Sequence, residues 1–317
     1  MPQNLVRMSG TIKVFAPASV ANVAVGFDIL GFALEKPGDE IIVRPGTEPG
    51  LKITTITGAK NKLPLDLMQN TAGYAAFRLL QHLGEEKRPI QMEIHKKMPF
   101  GSGLGSSAAS AVGGVFAVNE YLKTGLTKTE ILRFAVEGEQ IADGAFHADN
   151  VAPSLLGGLV LIRDNESLDF KKIHVPPGLF VVVIYPHITV LTRDSRAVLS
   201  PTVELSTAIR QNGNLAGFIA AMYTADFGLM KRSLQDLIIE PQRASLIPGF
   251  YEIKEMALQT GCLGFSISGA GPSMFALCDN SHLAEEIGQK AATLLAAKKI
   301  KSDVFLSKIN LEGAFRY

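Results

Sequence analysis

The stretch from Pro99 to Ser110 constrains this chain more than any other. It reads Pro99-Phe100-Gly101-Ser102-Gly103-Leu104-Gly105-Ser106-Ser107-Ala108-Ala109-Ser110. Before it, Ile90, Met92 and Ile94 alternate with polar residues up to His95, the period-two pattern of a half-buried strand. After it, Ala108 to Leu122 is rich in Ala and long enough for about four helical turns. The order is strand, glycine-rich loop, helix. Gly101, Gly103 and Gly105 permit turns closed to other residues and let a ligand approach the bare main chain. Ser106 or Ser107 starts the helix, where unpaired N–H groups and the helix dipole favour an anion. Loop and helix start together form a phosphate cradle.

Other glycine motifs compete for these residues. Gly103-x-Gly105-x-x-Ala108 formally fits the dinucleotide fingerprint. That fingerprint needs a tight strand-to-helix turn in a parallel βαβ unit with an acid closing the second strand. Here a proline-containing loop intervenes and no strand follows promptly. A Walker A loop needs Gly-Lys-Ser/Thr, and the chain contains no Gly-Lys dipeptide. The remaining alternative is a glycine-rich surface turn that binds nothing.

Composition narrows the classes further. At 317 residues the chain has room for two domains or one large one. It is 47% hydrophobic and 19% charged, a globular composition. A net charge of +1 gives no broad basic face for nucleic acid and no acidic tail. Cys262 and Cys278 lie in apolar, strand-like surroundings and need not pair, which suits a reducing cytosol. No His or Cys spacing matches a zinc site. Val14 to Leu34 is apolar enough to suggest a membrane span, but Pro17, Asn22, Gly26, Asp28 and Gly31 interrupt it. It reads as a strand, a loop and a buried helix or strand, so the expected location is the cytoplasm, with no membrane partner.

Along the chain, residues 1–10 read as a loose start and Ile12 to Phe15 as a strand. Asn22 and Asp28 are polar islands in an apolar segment; either they make a turn and a cap, or both face a pocket. Strands follow at Glu40–Arg44 and Leu51–Ile56, then a helix capped by Asn70 and stopped at Gly84. Thr127-x-x-Glu130 is a capping box for a helix to about Asp143, on which Leu132, Ala135, Val136 and Glu139 share a face. A carboxylate on an apolar face needs an Arg or Lys partner, or a metal. His147-Ala148-Asp149-Asn150 is a polar, loop-borne cluster before a strand at Gly157–Ile162. Residues 163–177 read as a domain junction without a flexible linker, so the two units should share an interface. Leu179–Tyr185 reads as a buried strand, followed by helices at Pro201–Gln211, Asn214–Ala225 and Gly228–Leu237. After Glu240–Gly249 comes a helix to Thr260. Gly264–Cys278 reads as strand, glycine turn, strand; a helix at Leu283–Lys298 and a strand at Asp303–Lys308 complete the chain.

Pro99 to Ala109 matches P-x-x-x-G-L-G-S-S-A-A without a gap, the signature of the GHMP small-molecule kinases. Residues 13–31, 99–110 and 266–278 resemble that family's three ordered motifs, and the resemblance runs over nearly the whole chain. Ala21-Asn22-x-x-x-Gly26-Phe27-Asp28, His147 to Pro153, Thr192-x-x-x-Arg196 and Glu240-Pro241-x-Arg243 are most similar to the members that act on homoserine.

That resemblance implies an α+β fold of two domains. Residues 10–172 would form an N-terminal ATP-binding domain like ribosomal protein S5 domain 2, and 173–317 a ferredoxin-like C-terminal domain. It implies ATP phosphates on Pro99 to Ala109, Mg²⁺ on Ser107 and Glu139, and Asn70 and Lys96 along the nucleotide's base and sugar. The implied acceptor is L-homoserine, phosphorylated on its hydroxyl as a step of threonine biosynthesis, with a homodimer as the expected assembly. Arg196 and Arg243 would grip its α-carboxylate, which suits bidentate guanidinium. Asn22, His147, Asp149 and Asn150 would surround the ammonium group, Gly269 would close the pocket with bare backbone, and Thr192 would be a further substrate-site residue. Asp28 would contact the hydroxyl. Asp28, Asn150 and Arg196 are the implied catalytic set, yet related kinases place an aspartate where Asn150 falls, and asparagine cannot take a proton. A mevalonate, shikimate or sugar kinase, a non-catalytic nucleotide sensor and, more distantly, a nicotinamide-dependent oxidoreductase are the rival readings.

Overall fold

The structure, a computed structural model, describes residues 10–59, 62–144 and 146–317. The loose start expected over residues 1–10 lies, apart from Gly10, outside the described residues.

The apolar run near the N-terminus becomes two strands of one sheet. β1 (Ile12–Ala21) and β2 (Leu30–Pro45) pair antiparallel from Ile12↔Val43 to Ala21↔Gly31. Both outlast the short strands that the sequence suggests, because the polar islands fall in the turn between them. β3 (Leu51–Thr57) leads through α1 (Thr71–Leu83) into β4 (Ile90–His95), which lies parallel to β3. Asn70 Oδ1 accepts from the N–H groups of Ala72 and Gly73, and Gly84 ends α1 at φ +67°, as the sequence predicts.

α2 (Ser106–Leu122) is buried on nearly every face. Its small residues answer to crowding: a Cβ at Gly114 would stand 2.2 Å from the Ala72 carbonyl oxygen of α1. α3 (Lys128–Asp143) begins with the predicted capping box of Thr127 and Glu130. α4 (Val151–Leu156) precedes the hairpin β5 (Leu159–Asp164) and β6 (Asp169–Ile173). The first sheet runs β11-β1-β2-β4-β3, where β11 is Phe315–Arg316, with β5 joined to β2 and β6 to β5. The expected junction over 163–177 therefore contains the end of β5 and all of β6, which belong to this first sheet.

The second sheet is four-stranded and antiparallel. β7 (Phe180–Pro186) is followed by α5 (Thr192–Ala197), α6 (Leu205–Thr224), α7 (Phe227–Ser233), α8 (Glu240–Arg243) and α9 (Phe250–Thr260). β8 (Gly264–Ile267), β9 (Met274–Cys278), α10 (Ser281–Ala297) and β10 (Ser302–Ser307) complete it in the order β10-β7-β9-β8. Strand, helices, strand, strand, helix, strand in that order is the ferredoxin-like arrangement.

Two helices expected at Pro201–Gln211 and Asn214–Ala225 are one, α6, which starts only at Leu205. Gly213 does not break it; a glycine inside a helix costs only about 1 kcal/mol. Burial of Phe218, Ala221 and Met222 offsets that, and Gln211 is pinned at both ends, to the Val25 carbonyl (3.2 Å) and the Leu237 N–H (2.9 Å). The third of these helices, expected at Gly228–Leu237, ends at Ser233.

The sheets share a core. Phe32 of β2 meets Phe275 of β9 edge to face at 5.9 Å, and both rings are buried. A buried Phe contributes roughly 1.5–3 kcal/mol. The chain then returns: Ile309 bridges to Leu34 and β11 pairs with β1. Among the described residues no helix is long and apolar enough to cross a membrane.

Candidate active site

β4 leads towards the glycine loop and α2 carries the chain away. Gly101, Gly103 and Gly105 take φ of +66°, +78° and +63°, so the loop needs its glycines. A Cβ at Gly103 would lie 2.6 Å from the Ser268 carbonyl oxygen, and one at Gly105 2.3 Å from Ser19 Oγ. The loop is clamped from both sheets. Ser268 Oγ donates to the Gly103 carbonyl (2.8 Å), the Ser273 N–H to that of Ser102 (3.1 Å) and the Ser19 N–H to that of Leu104 (3.1 Å). Ser102 Oγ closes back on the Pro99 carbonyl at 2.8 Å. Leu104, Ala108 and Ala109 are buried, whereas Phe100 stands exposed beside Gly101, around which space is open.

The start of α2 has no side-chain cap, and Ser106 Oγ is buried with no hydrogen-bond partner. Uncapped N–H groups, the dipole and an unused hydroxyl together favour an anion. Beside them Ser107 Oγ donates to Glu139 Oε1 of α3 at 2.6 Å. The sequence thus paired Glu139 with an apolar face, and the structure puts a serine hydroxyl against it. Among the described residues no three His, Cys, Asp and Glu side chains converge on a metal position. One hydroxyl and one carboxylate oxygen next to an anion site still fit Mg²⁺, which uses few protein oxygens alongside phosphate oxygens and water.

The second cluster gathers residues from across the chain. Between β1 and β2, Asn22, Val23, Ala24 and Asp28 all take positive φ, from +44° to +70°. Such conformations are costly for β-branched Val23 in particular and persist only where surroundings enforce them. Asn22 enforces this one: its Oδ1 accepts from the Asp28 N–H (3.1 Å) and its Nδ2 donates to the Gly269 carbonyl (3.0 Å). Arg196 Nη1 and Nη2 donate to the two carboxylate oxygens of Asp28 at 3.0 and 2.9 Å. Arg196 Nη2 also lies 3.0 Å from His147 Nδ1; a guanidinium only donates, so that nitrogen accepts.

Arg243 is buried and donates from Nε to the Ser195 carbonyl (2.9 Å) and from Nη1 to that of Gly269 (3.1 Å). Burial, and then the positive charge of Arg196, lower its pKa to about 10, so it remains a cation at neutral pH. The carboxylate of nearby Glu240 accepts instead from Lys254 and Ser266 Oγ. Gly269 thus receives Asn22 and Arg243 on one oxygen, and a Cβ there would stand 3.2 Å from the Gly103 carbonyl oxygen. This second cluster and the glycine loop therefore adjoin. Asn150 lies between them, with its Oδ1 accepting from Ser19 Oγ at 2.9 Å and facing Gly105. Asp149 is buried in the same loop. Thr192 is exposed on the first turn of α5 and makes none of the hydrogen bonds described for this cluster.

Two expected nucleotide contacts are bonded within the protein. Lys96 is buried, and its Nζ donates to Asp39, to the Ser106 carbonyl (2.6 Å) and to Ser110 Oγ (2.7 Å). All three protons of the ammonium are engaged beneath the loop. Asn70 is likewise buried; besides capping α1 it donates from Nδ2 to the Pro64 carbonyl at 2.9 Å. Both shape the loop's surroundings from inside.

Sequence reasoning missed Asp39, Phe27, Ser19 and Asn165. Asn165 Nδ2 donates to the Asp28 carbonyl (3.1 Å) while its Oδ1 accepts from the Ala148 N–H (2.9 Å), tying the two site loops together. A polar residue in a hairpin turn carries no signal of that. Phe27, next to Asp28 in a motif, did.

Comparison with known proteins agrees with this geometry. The GHMP kinases N terminal domain family matches residues 70–158, and the GHMP kinases C terminal family matches 218–297. A homoserine kinase from Chlorobium phaeovibrioides is 44% identical over 96% of this chain and 98% of its own length. One from Chlorobium phaeobacteroides is 42% identical with the same coverage. The crystal structure of homoserine kinase from Cytophaga hutchinsonii superimposes with a TM-score of 0.95 at 47% identity, covering 100% of both chains. The chain belongs to the GHMP kinase family, among its homoserine kinases.

Proposed function

We propose that this protein transfers the γ-phosphoryl group of ATP to the side-chain hydroxyl of L-homoserine, giving O-phospho-L-homoserine and ADP, as a step towards threonine. The observation that carries this reading is the contact of two sites at Gly269 and Gly103. One side offers uncapped helix N–H groups to phosphate; the other offers two guanidiniums and a carboxylate to a small zwitterion. The names of the relatives agree with it.

Phosphoryl transfer passes through a loose transition state, so positioning and charge neutralisation dominate. The loop from Pro99 to Ala109 would hold the phosphates by backbone N–H groups, with Ser106 Oγ as a further donor. Ser107 and Glu139 would hold Mg²⁺, which when bound neutralises charge on the phosphate oxygens. Arg243 and Arg196 would bind the α-carboxylate, while Asn22 Oδ1, Asp149 and Asn150 surround the ammonium group. Asp28 would orient the hydroxyl and accept its hydrogen bond as the oxygen–phosphorus bond forms and the bond to ADP breaks. Asn150 cannot act as the base; besides facing the ammonium group it would align the loop at Gly105 through its bond from Ser19.

The test is ADP release with Mg²⁺ over a panel of homoserine, shikimate, mevalonate and galactose. Homoserine should exceed the others in kcat/KM by about a hundredfold or more, because each lacks a group that the site would bond. Preference for shikimate would mean that the carboxylate matters and the amine does not. Nucleotide binding without turnover on any acceptor would favour a nucleotide sensor.

A further inference from the structure

Two like charges must stay close if they are to grip one carboxylate, and each carries some other partner that could draw it away. The guanidinium carbon of Arg243 lies 5.0 Å from the centroid of the Phe27 ring and over it, and that of Arg196 lies over the same ring at 5.4 Å. The ring face is the negative end of its quadrupole, so it attracts both cations while they repel each other. Phe27 is half-buried. It is followed by Asp28, whose left-handed backbone (φ +60°) lets consecutive residues present a ring and a carboxylate to the same guanidinium. Arg243 in turn is anchored on backbone carbonyls of Ser195 and Gly269, and the ring contacts both cations from the segment bearing Asp28.

We propose that Phe27 is a positioning residue for acceptor binding: its ring sets the spacing of the Arg196 and Arg243 guanidiniums so that one α-carboxylate can bridge them. The proposal rests on the assignment of these arginines to the acceptor carboxylate. It acts through them and touches no reacting atom.

Phe27→Leu keeps an apolar side chain and removes the quadrupole; Phe27→Tyr keeps both. Phe27→Leu should raise KM for homoserine about tenfold, within the range for cation–π contacts out of water, while kcat and KM for ATP stay within about twofold. Phe27→Tyr should restore wild-type values. With the amino diol that replaces the carboxylate of homoserine by a hydroxymethyl group, Phe27→Leu and wild type should perform alike. Equal losses on both acceptors, or an unchanged KM for homoserine, would overturn the proposal and make Phe27 ordinary packing. A readout free of turnover separates this from the acceptor assignment. In protein labelled with ¹⁵N-arginine, the side-chain resonances of both Arg196 and Arg243 should shift in Phe27→Leu. If neither moves, the proposal fails whatever the substrate. If both move but wild type does not phosphorylate homoserine, it is the acceptor assignment that fails.

Discussion

Asp28 and Arg196, 168 residues apart, meet in a two-pronged ion pair with both oxygens and both terminal nitrogens engaged. The pair joins the first sheet's turn to the helix after β7, so the proposed acceptor site would draw on both halves of the chain. Under the proposed function an incoming carboxylate would share Arg196 with Asp28. Asp28→Asn removes the charge that aligns Arg196 and the group proposed to orient the hydroxyl. It should lower kcat by about a hundredfold or more. Asn150→Asp should give no acceleration and adds a negative charge near the phosphates. Steady-state kinetics at saturating ATP on both variants is the check, and a large rate gain in Asn150→Asp would assign a base to that position.

Beneath the phosphate loop, Lys96 and Asp39 form an ion pair whose side chains are 2% and 0% exposed. Asp39 also accepts from the N–H groups of Lys97 (2.8 Å) and Met98 (3.1 Å), so it fixes the chain where it leaves β4. Removing one partner from a buried pair costs about 3–5 kcal/mol, because the other charge is left in the interior. Lys96→Met and Asp39→Asn should each lose stability on that scale in urea unfolding and weaken ATP binding. The double variant should recover part of the loss. Full additivity would show that the two side chains do not act as a pair.

Glu139→Gln preserves a partner for Ser107 Oγ but removes the negative charge beside the anion site. Melting temperature should hold, while kcat falls by about a hundredfold or more across a Mg²⁺ titration, given the charge stabilisation that a bound metal supplies to phosphoryl transfer. Normal turnover at saturating Mg²⁺ would contradict the assignment of Glu139 to the metal.

Burial raises the Cys262 thiol to about 11 and that of Cys278 to about 12. Both are free and enclosed in the second core. The thiolate is the reactive form, so at pH 8 only about a thousandth of Cys262 or less is ionised. A thiol reagent should label neither residue in the native protein at pH 8 and both in urea. Reactivity should climb only as the pH approaches 11.

Much of this arrangement was legible in consecutive residues. The loop from Pro99 to Ala109, the Asn70 and Thr127 caps and the period-two strands each carry their signal locally, and each formed as read. The pairing of Asp28 with Arg196 and of Lys96 with Asp39 left no local trace, because register and crossover bring those residues together. Lys96 illustrates the limit: its position beside the loop pointed to nucleotide, but only the packing of β2 against β4 reveals Asp39 beneath it. Gly213 misled in the opposite direction, since tertiary contacts of Gln211 and Phe218 override a weak local preference. β11, at two residues, is too short for any periodicity to declare itself.

The central claim is that the phosphate loop and the arginine-lined cluster serve a single transfer. ³¹P NMR of the protein with ATP, Mg²⁺ and L-homoserine tests it most directly. One phosphomonoester on the side-chain oxygen of homoserine is expected for each ADP formed, with almost no inorganic phosphate. ADP accompanied by inorganic phosphate alone, or loss of the ATP γ resonance to a phosphomonoester when shikimate or mevalonate replaces homoserine but not with homoserine itself, would contradict it.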